Sequence, residues 1–336
     1  MSTSPFTSIF DLPPVVDTIC RYLHRRDYSN VSLVNKTFYN GCKRYIWRRL
    51  VFKNTEENEA LPKEHRRALR ANSHWIQNMT VSKTHPPLRC LTKSPTACRN
   101  LKFLGCSLEH RSSKYTKALA KLLVLNTDII GLRIEFSDEY LQMQDEDQPP
   151  NIDGIKQVGL ALPHLTSLQY ISVETPGIFG HIDLFLFLTC LPPCVKVFKF
   201  MQLYPRDNEV DEAPYALTPH GLAWRDVYSD LVDLEFGEFE HYSLTPFLIP
   251  FLQRCPRLIR LTLPIVPGPG LLSIAEVLRG NCSKLRFLTI VGHLQEEHLL
   301  PIVDVIPALL TLDLPVSVPT TAIFLPQLVA KWSHTL

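Results

Sequence analysis

Leu285-Arg286-Phe287-Leu288-Thr289-Ile290 sets apolar side chains at its first, fourth and sixth positions, with others between them. Alone, six residues in this pattern describe any buried strand or a turn of buried helix. Working outward, the same spacing returns at Ile76-Met79-Val81, Leu101-Leu104-Cys106, Ile129-Leu132-Ile134, Leu168-Ile171-Val173, Val195-Phe198-Phe200, Leu231-Leu234-Phe236, Leu258-Leu261-Leu263 and Leu309-Leu312-Leu314. From first anchor to first anchor the steps are 25, 28, 39, 27, 36, 27, 27 and 24 residues. A fixed period of this size marks a repeat architecture. A lone Leu336 falls 27 residues after Leu309, where a further copy would begin. Solenoids require covered ends, so the sequence implies a shortened C-terminus or a cap supplied by a partner.

The two long steps hold insertions. Residues 138–153 carry six acidic side chains and no basic one, and residues 204–230 are mixed in charge and rich in proline. Both read as surface loops on a repeating frame. Ahead of most anchors lies a stretch with helical spacing, such as Leu244, Phe247, Leu248, Phe251 and Leu252, or Leu272, Ile274, Ala275, Val277 and Leu278. Each unit is therefore a short strand, a turn and a helix, too small to bury its own apolar face. Stacked units would share one core between a parallel sheet and a layer of helices. The period and pattern resemble the leucine-rich repeats, specifically the longer, helix-backed kind. The resemblance covers residues 72–336 and implies an α/β solenoid with strands on the concave face and helices on the convex one. Most units lack the asparagine or cysteine that often follows the strand, so no regular asparagine ladder is expected.

Residues 9–52 stand outside this period. Leu12, Val16, Ile19 and Leu23 share one helical face, with Asp11 or Ser8 as a cap and Pro13-Pro14 near the first turn, where proline is tolerated. A second segment opens at Asp27 with Val31, Val34 and Phe38, and Asn40-Gly41 is expected to break it. A third, over Lys43–Phe52, presents Ile46, Trp47 and Leu50. Three helices in so few residues make a bundle with a marginal core. Residues 1–8 are expected to be disordered, and 53–71 to form a charged helical linker.

The wording of residues 12–50, from Leu12-Pro13 through Leu33-Val34-Asn35-Lys36 to Trp47-Arg48-Arg49-Leu50, resembles the F-box. Pro14 stands where many members carry glutamate. The resemblance implies that this module docks onto the Skp adaptor of a cullin-based, SCF-type ubiquitin ligase. The implied contacts are Leu12, Pro13, Val16, Ile19, Leu33, Val34 and Trp47. For Leu12, Pro13 and Val16 contact outweighs a core role, while Leu23 and Phe38 read better as core.

Composition narrows the function classes. Hydrophobic residues make up 45% and charged residues 20% of 336, an ordinary globular balance. Thirteen Gly against 27 Pro argue against a glycine-rich phosphate-binding fold. A formal net charge of +2 does not by itself call for nucleic acid or membrane. Residues 1–70 do hold 13 Lys or Arg against 7 Asp or Glu, including Arg66, Arg67 and Arg70, which read as a solvated helical face that steers an acidic partner. The first residues lack a basic stretch followed by an apolar run, so a cytosolic or nuclear site is expected. Nine cysteines without tight pairs then read as small buried hydrophobes, and Cys98, Cys255 and Cys282 share one slot three residues before an anchor. No nucleotide loop, nucleophile elbow or zinc spacing is present, so neither catalysis nor a cofactor is expected.

On each strand the residues between anchors alternate to the concave face. Phe103, Arg133, Tyr170, Lys199, Asp233, Glu235, Arg260 and Phe287 are the candidate target contacts, with Phe103, Tyr170, Arg260 and Phe287 foremost because aromatics and Arg anchor interfaces. The expectation is a non-catalytic adaptor whose bundle holds a ligase and whose repeats hold a protein target. The alternative is an interaction scaffold without a ligase role.

Overall fold

The structure, a computed structural model, describes residues 13–52, 62–81, 86–92, 98–109, 113–137, 153–176, 180–203, 224, 227–237, 245–264, 268–291, 309–313 and 330. Within them ten strands form one sheet in chain order: β1 Arg49–Phe52, β2 Asn78–Val81, β3 Phe103–Glu109, β4 Gly131–Ser137, β5 Tyr170–Pro176, β6 Val197–Leu203, β7 Asp233–Phe236, β8 Arg260–Pro264, β9 Phe287–Val291 and β10 Thr311–Asp313. Every pairing is parallel. Parallel neighbours need a crossover, and among the described residues a helix supplies it in seven of the nine intervals, much of the β6–β7 and β9–β10 connections lying outside the described residues. The three bundle helices are α1 Pro13–Tyr22, α2 Tyr28–Ser32 and α3 Lys36–Arg48, and the crossover helices are α4 Lys63–Asn72, α5 Pro86–Thr92, α6 Ser113–Leu125, α7 Asp153–Ala161, α8 Gly180–Cys190, α9 Thr245–Leu252 and α10 Gly268–Asn281. This is an α/β leucine-rich-repeat solenoid.

The register places like positions side by side. Met79, Leu104, Leu132, Ile171, Phe198, Leu234, Leu261, Leu288 and Leu312 form one column, each opposite the next. All but Leu312 are buried. The first anchors from Ile76 to Leu309 are buried as well. Each such side chain contributes roughly 1.5–3 kcal/mol by leaving water.

A second regularity links the units through the backbone. The carbonyl of the second pattern residue accepts two N–H groups from the following unit. Gln77 takes those of Lys102 and Phe103, Lys102 those of Ile130 and Gly131, and the series continues through Ile130, Gln169, Lys196, Val232, Ile259 and Arg286, all at 2.7–3.2 Å. Ahead of most strands a tight turn closes from the first anchor's N–H to the carbonyl three residues earlier, as from Leu285 to Cys282 and from Leu258 to Cys255. The shared slot fills this position. Cys98 Sγ points to the carbonyl of Ile76 at 3.8 Å, and Cys282 Sγ to that of Cys255 at 3.6 Å. Asn126 takes the same place in its unit. It accepts from the Leu101 N–H at 3.2 Å and donates to the Leu122 carbonyl at 2.8 Å.

The repeats begin earlier than residue 72, where the spacing alone places their start. The Arg48 carbonyl accepts from the Gln77 N–H at 2.9 Å, and β1 pairs with β2 over four residues. Trp47-x-x-Leu50-x-Phe52 is thus the first unit, 29 residues before Ile76. Trp47, Leu50 and Phe52 all pack on the solenoid core. Residues 49–52 therefore belong to the sheet rather than to the bundle. The segment expected as a linker contains α4, the helix of this first unit, whose Leu69 is buried in the same core.

The end of the 204–230 insertion also differs from a surface loop. Tyr228 is fully buried, donates its hydroxyl to the Leu188 carbonyl at 2.7 Å, and stands in the slot three residues before Leu231. The Trp224 ring meets Phe185 edge-on at 5.2 Å. Residues 204–223 lie outside the described residues, as do 1–12, 53–61, 138–152 and Leu336.

The bundle has its own small core of Val16, Cys20, Phe38 and Cys42. Asn40-Gly41 does not break it, since both lie inside α3. A Cβ on Gly41 would stand 2.5 Å from Val16 Cγ1, so glycine is what lets α1 approach α3. The break falls at Leu33–Asn35 instead. Asn35 caps α3, its Oδ1 accepting from the Phe38 N–H at 2.8 Å.

Candidate protein-interaction surfaces

The seven residues singled out in the bundle are not one surface. Pro13 is exposed at the start of α1. Val16 is 1% exposed at the centre of the bundle core, which corrects the preference for contact at this position. Ile19 packs half-buried against the same core. Trp47 is turned to the solenoid as a first anchor, because α3 runs directly into β1. Leu12 lies outside the described residues.

Leu33 and Val34 are different. They occupy the turn between α2 and α3 and are 83% and 65% exposed. Their backbone N–H groups close that turn onto Asn30 and Val31, so their side chains have no part in the bundle's packing. Tyr22 and Tyr39 are also exposed, and the sequence reading passed over both. The signal for Tyr39 was its place one step after the core residue Phe38, since one residue turns a helix by about 100°.

A polar brace holds the bundle together. Asp17 faces Arg21 at 3.5 Å and also Arg44, and it accepts from the Tyr45 hydroxyl at 2.6 Å. Tyr28 donates to the Cys20 carbonyl at 3.0 Å and stacks on Tyr45.

The eight concave candidates fall in two cross-strand rows. Phe103, Gly131, Tyr170, Val197, Asp233, Arg260 and Phe287 are successive neighbours in the first. Arg133, Ser172, Lys199 and Glu235 follow one another in the second. Phe103 is 48% and Tyr170 37% exposed, large values for aromatic side chains on a sheet. The ring of Phe103 leans over Gly131, where a Cβ would stand 2.6 Å from Phe103 Cδ1. Any larger residue at 131 would displace that ring.

The charges in these rows are already engaged, which the sequence reading did not foresee. Arg133 pairs with Glu174 at 2.8 Å, and Lys199 pairs with Glu235. Both partnerships raise the pKa of the base, through the hydrogen bond first. Arg260 lies over the Phe287 ring, 5.1 Å from its centre. Burial pushes the Asp233 carboxyl up, while Lys199 and Arg260 draw it down by less. Glu174 was missed because it sits two residues beyond the positions read, on the same alternating face of a longer strand. The result is a surface with aromatic groups toward both ends and cross-braced charges between.

The thiols fit the small-hydrophobe reading. Burial pushes Cys20, Cys98, Cys106 and Cys282 up to about 12, so they stay protonated near neutral pH. Among the described residues no group of three or more His, Cys, Asp or Glu is placed to hold a metal ion. No helix among them is long and apolar enough to cross a membrane.

No family model matches the chain, and no curated protein matches it. Among solved structures, an internalin from Listeria monocytogenes is similar over 95% of this chain and 92% of its own, with 12% identity and a TM-score of 0.44. The yeast Rad7 and Elc1 complex gives a chain similar over 96% of this one and 72% of its own, with 12% identity and a TM-score of 0.44. The leucine-rich repeat-containing protein LegL7 from Legionella pneumophila is similar over 86% of this chain and 98% of its own, with 11% identity and a TM-score of 0.34. The assignment of the fold rests on the strand register described above.

Proposed function

We propose that the chain is a non-catalytic substrate-recognition adaptor of a cullin-based, SCF-type ubiquitin ligase, in the cytoplasm or nucleus. The bundle binds a Skp-type adaptor, and the concave face binds a protein target. The observation that supports this reading is the exposure of Leu33 and Val34 in a bundle whose core is complete without them. Two adjacent apolar side chains in water gain by burial against a partner. They also fall within the stretch whose wording resembles the F-box. In this reading Pro13 and Ile19 also contribute to adaptor binding, as the F-box resemblance implies.

Co-purification tests the ligase arm. The intact chain is expected to recover Skp adaptor and cullin, and Leu33→Asp with Val34→Asp is expected to lose both while the fold stays intact. The pair Val16→Asp and Ile19→Asp is a poor substitute, because Val16 holds up the bundle. Recovery of neither protein by the intact chain would favour a scaffold without a ligase role. Replacing Phe103, Tyr170, Arg260 and Phe287 together with Ala or Ser is expected to abolish target capture and leave adaptor binding unchanged.

A further inference from the structure

Lys63, Arg66, Arg67 and Arg70 line an open recess of about 220 Å³ on α4. Their spacing of three, four and seven residues puts all four on one face of the helix, opposite the buried Leu69 and Asn72. Four like-charged pairs at neighbouring helical positions repel one another. Among the described residues no ion pair joins any of the four to a carboxylate. Four cations of the bundle, by contrast, are engaged. Arg21 and Arg44 face Asp17, Arg48 donates to Gln77, and Arg25 donates to the Arg49 carbonyl. A concentrated row, uncompensated among the described residues, thus stands on a helix that is held to the solenoid by its other side.

We propose that this recess is a docking site for an acidic peptide segment of a protein partner. The four cations are strung along roughly 10 Å of helix axis, which matches a row of carboxylates better than a single compact anion. Three are Arg, whose planar fork pairs with carboxylates in bidentate fashion. A nucleic-acid backbone would need the basic row to continue across several phosphates, whereas the recess is lined by these four cations on a single helix. The site is on α4, away from the strand rows, and its test does not depend on the ligase reading.

The test is direct binding, by fluorescence anisotropy, of a labelled peptide alternating glutamate and alanine to the purified full chain. The glutamate peptide is expected to bind at low salt and to lose affinity as salt rises, while its glutamine counterpart does not bind. Arg66→Gln with Arg70→Gln is expected to weaken binding roughly tenfold, without lowering the unfolding temperature, and Arg279→Gln on α10 is expected to leave binding unchanged. Equal binding of the two peptides, or no change in the double variant, would overturn the proposal. So would tighter, equally variant-sensitive binding of a single-stranded DNA oligonucleotide, which would mark a nucleic-acid site. Binding that emerges only after Glu56, Glu57 and Glu59 are changed to Gln would assign the recess to the chain's own carboxylates, and would likewise refute it.

Discussion

At the scale of single residues, two positions carry consequences that the spacing of apolar groups could not reveal. Gly41 looked like a helix breaker next to Asn40, yet it stands inside α3 because Val16 occupies the space of its missing side chain. Gly41→Ala should therefore destabilise the bundle by about 1–3 kcal/mol through overpacking, despite alanine's better helix propensity. Amide exchange in α1 and α3 is the measurement, and slower exchange in the variant would contradict the packing described. Asp233 is the second case. Burial raises its pKa above the ordinary 3.8, so the folded protein holds that proton more tightly than the unfolded chain. Ionised Asp233 thus costs stability, and the cost grows as pH rises from below 3.8 through the raised value and persists at neutral pH. Asp233→Asn is expected to raise the unfolding midpoint at pH 7 by an amount worth less than about 1 kcal/mol. The difference from wild type should vanish in acid, where both forms are neutral. Paired thermal melts at the two pH values check this. The burial of Asp233 was hidden in the sequence because it depends on cross-strand neighbours from units far apart in the chain.

At the scale of elements, strand and helix order follows from the period, since nine triplets at a near-constant step leave little freedom in the stacking. The places where the reading fell short are those where two signals overlapped. Trp47-x-x-Leu50-x-Phe52 carries the repeat pattern, but it sits at the end of a segment with helical spacing and F-box wording, and the helix reading masked it. Structure resolves the conflict, because α3 ends at Arg48 and the chain enters the sheet without a linker. The bundle is consequently attached to the first unit by a shared element. This bears on Trp47, which the F-box resemblance implies as an adaptor contact and which here supports the end of the solenoid. Trp47→Ala is expected to cost about 3 kcal/mol in global stability and to leave adaptor affinity unchanged where the variant is folded. Isothermal titration beside chemical denaturation separates the two effects. Lost affinity with intact stability would return Trp47 to the interface. The slot three residues before each anchor shows the opposite outcome. Cys98, Cys255 and Cys282 were legible as a set, while Asn126 and Tyr228 in the same slot were not, because their types differ although their place does not.

At the scale of the whole molecule, the concave sheet and the Leu33–Val34 turn are separate faces, and the basic recess on α4 is a third. The concave sheet presents Phe103 and Tyr170 near one end and Arg260 stacked on Phe287 near the other, with Arg133–Glu174 and Lys199–Glu235 braced between them. The turn at Leu33–Val34 lies in the bundle ahead of the first strand. Which strand residues face outward was legible from alternation alone. How their charges pair was not, since pairing depends on register between units. The most direct measurement is to mix the purified full chain with purified Skp adaptor and determine the mass of the eluting species by light scattering on a sizing column. A one-to-one complex that dissolves into its components with Leu33→Asp and Val34→Asp is the predicted result. Separate elution of the two intact proteins, or a complex indifferent to those substitutions, would contradict it.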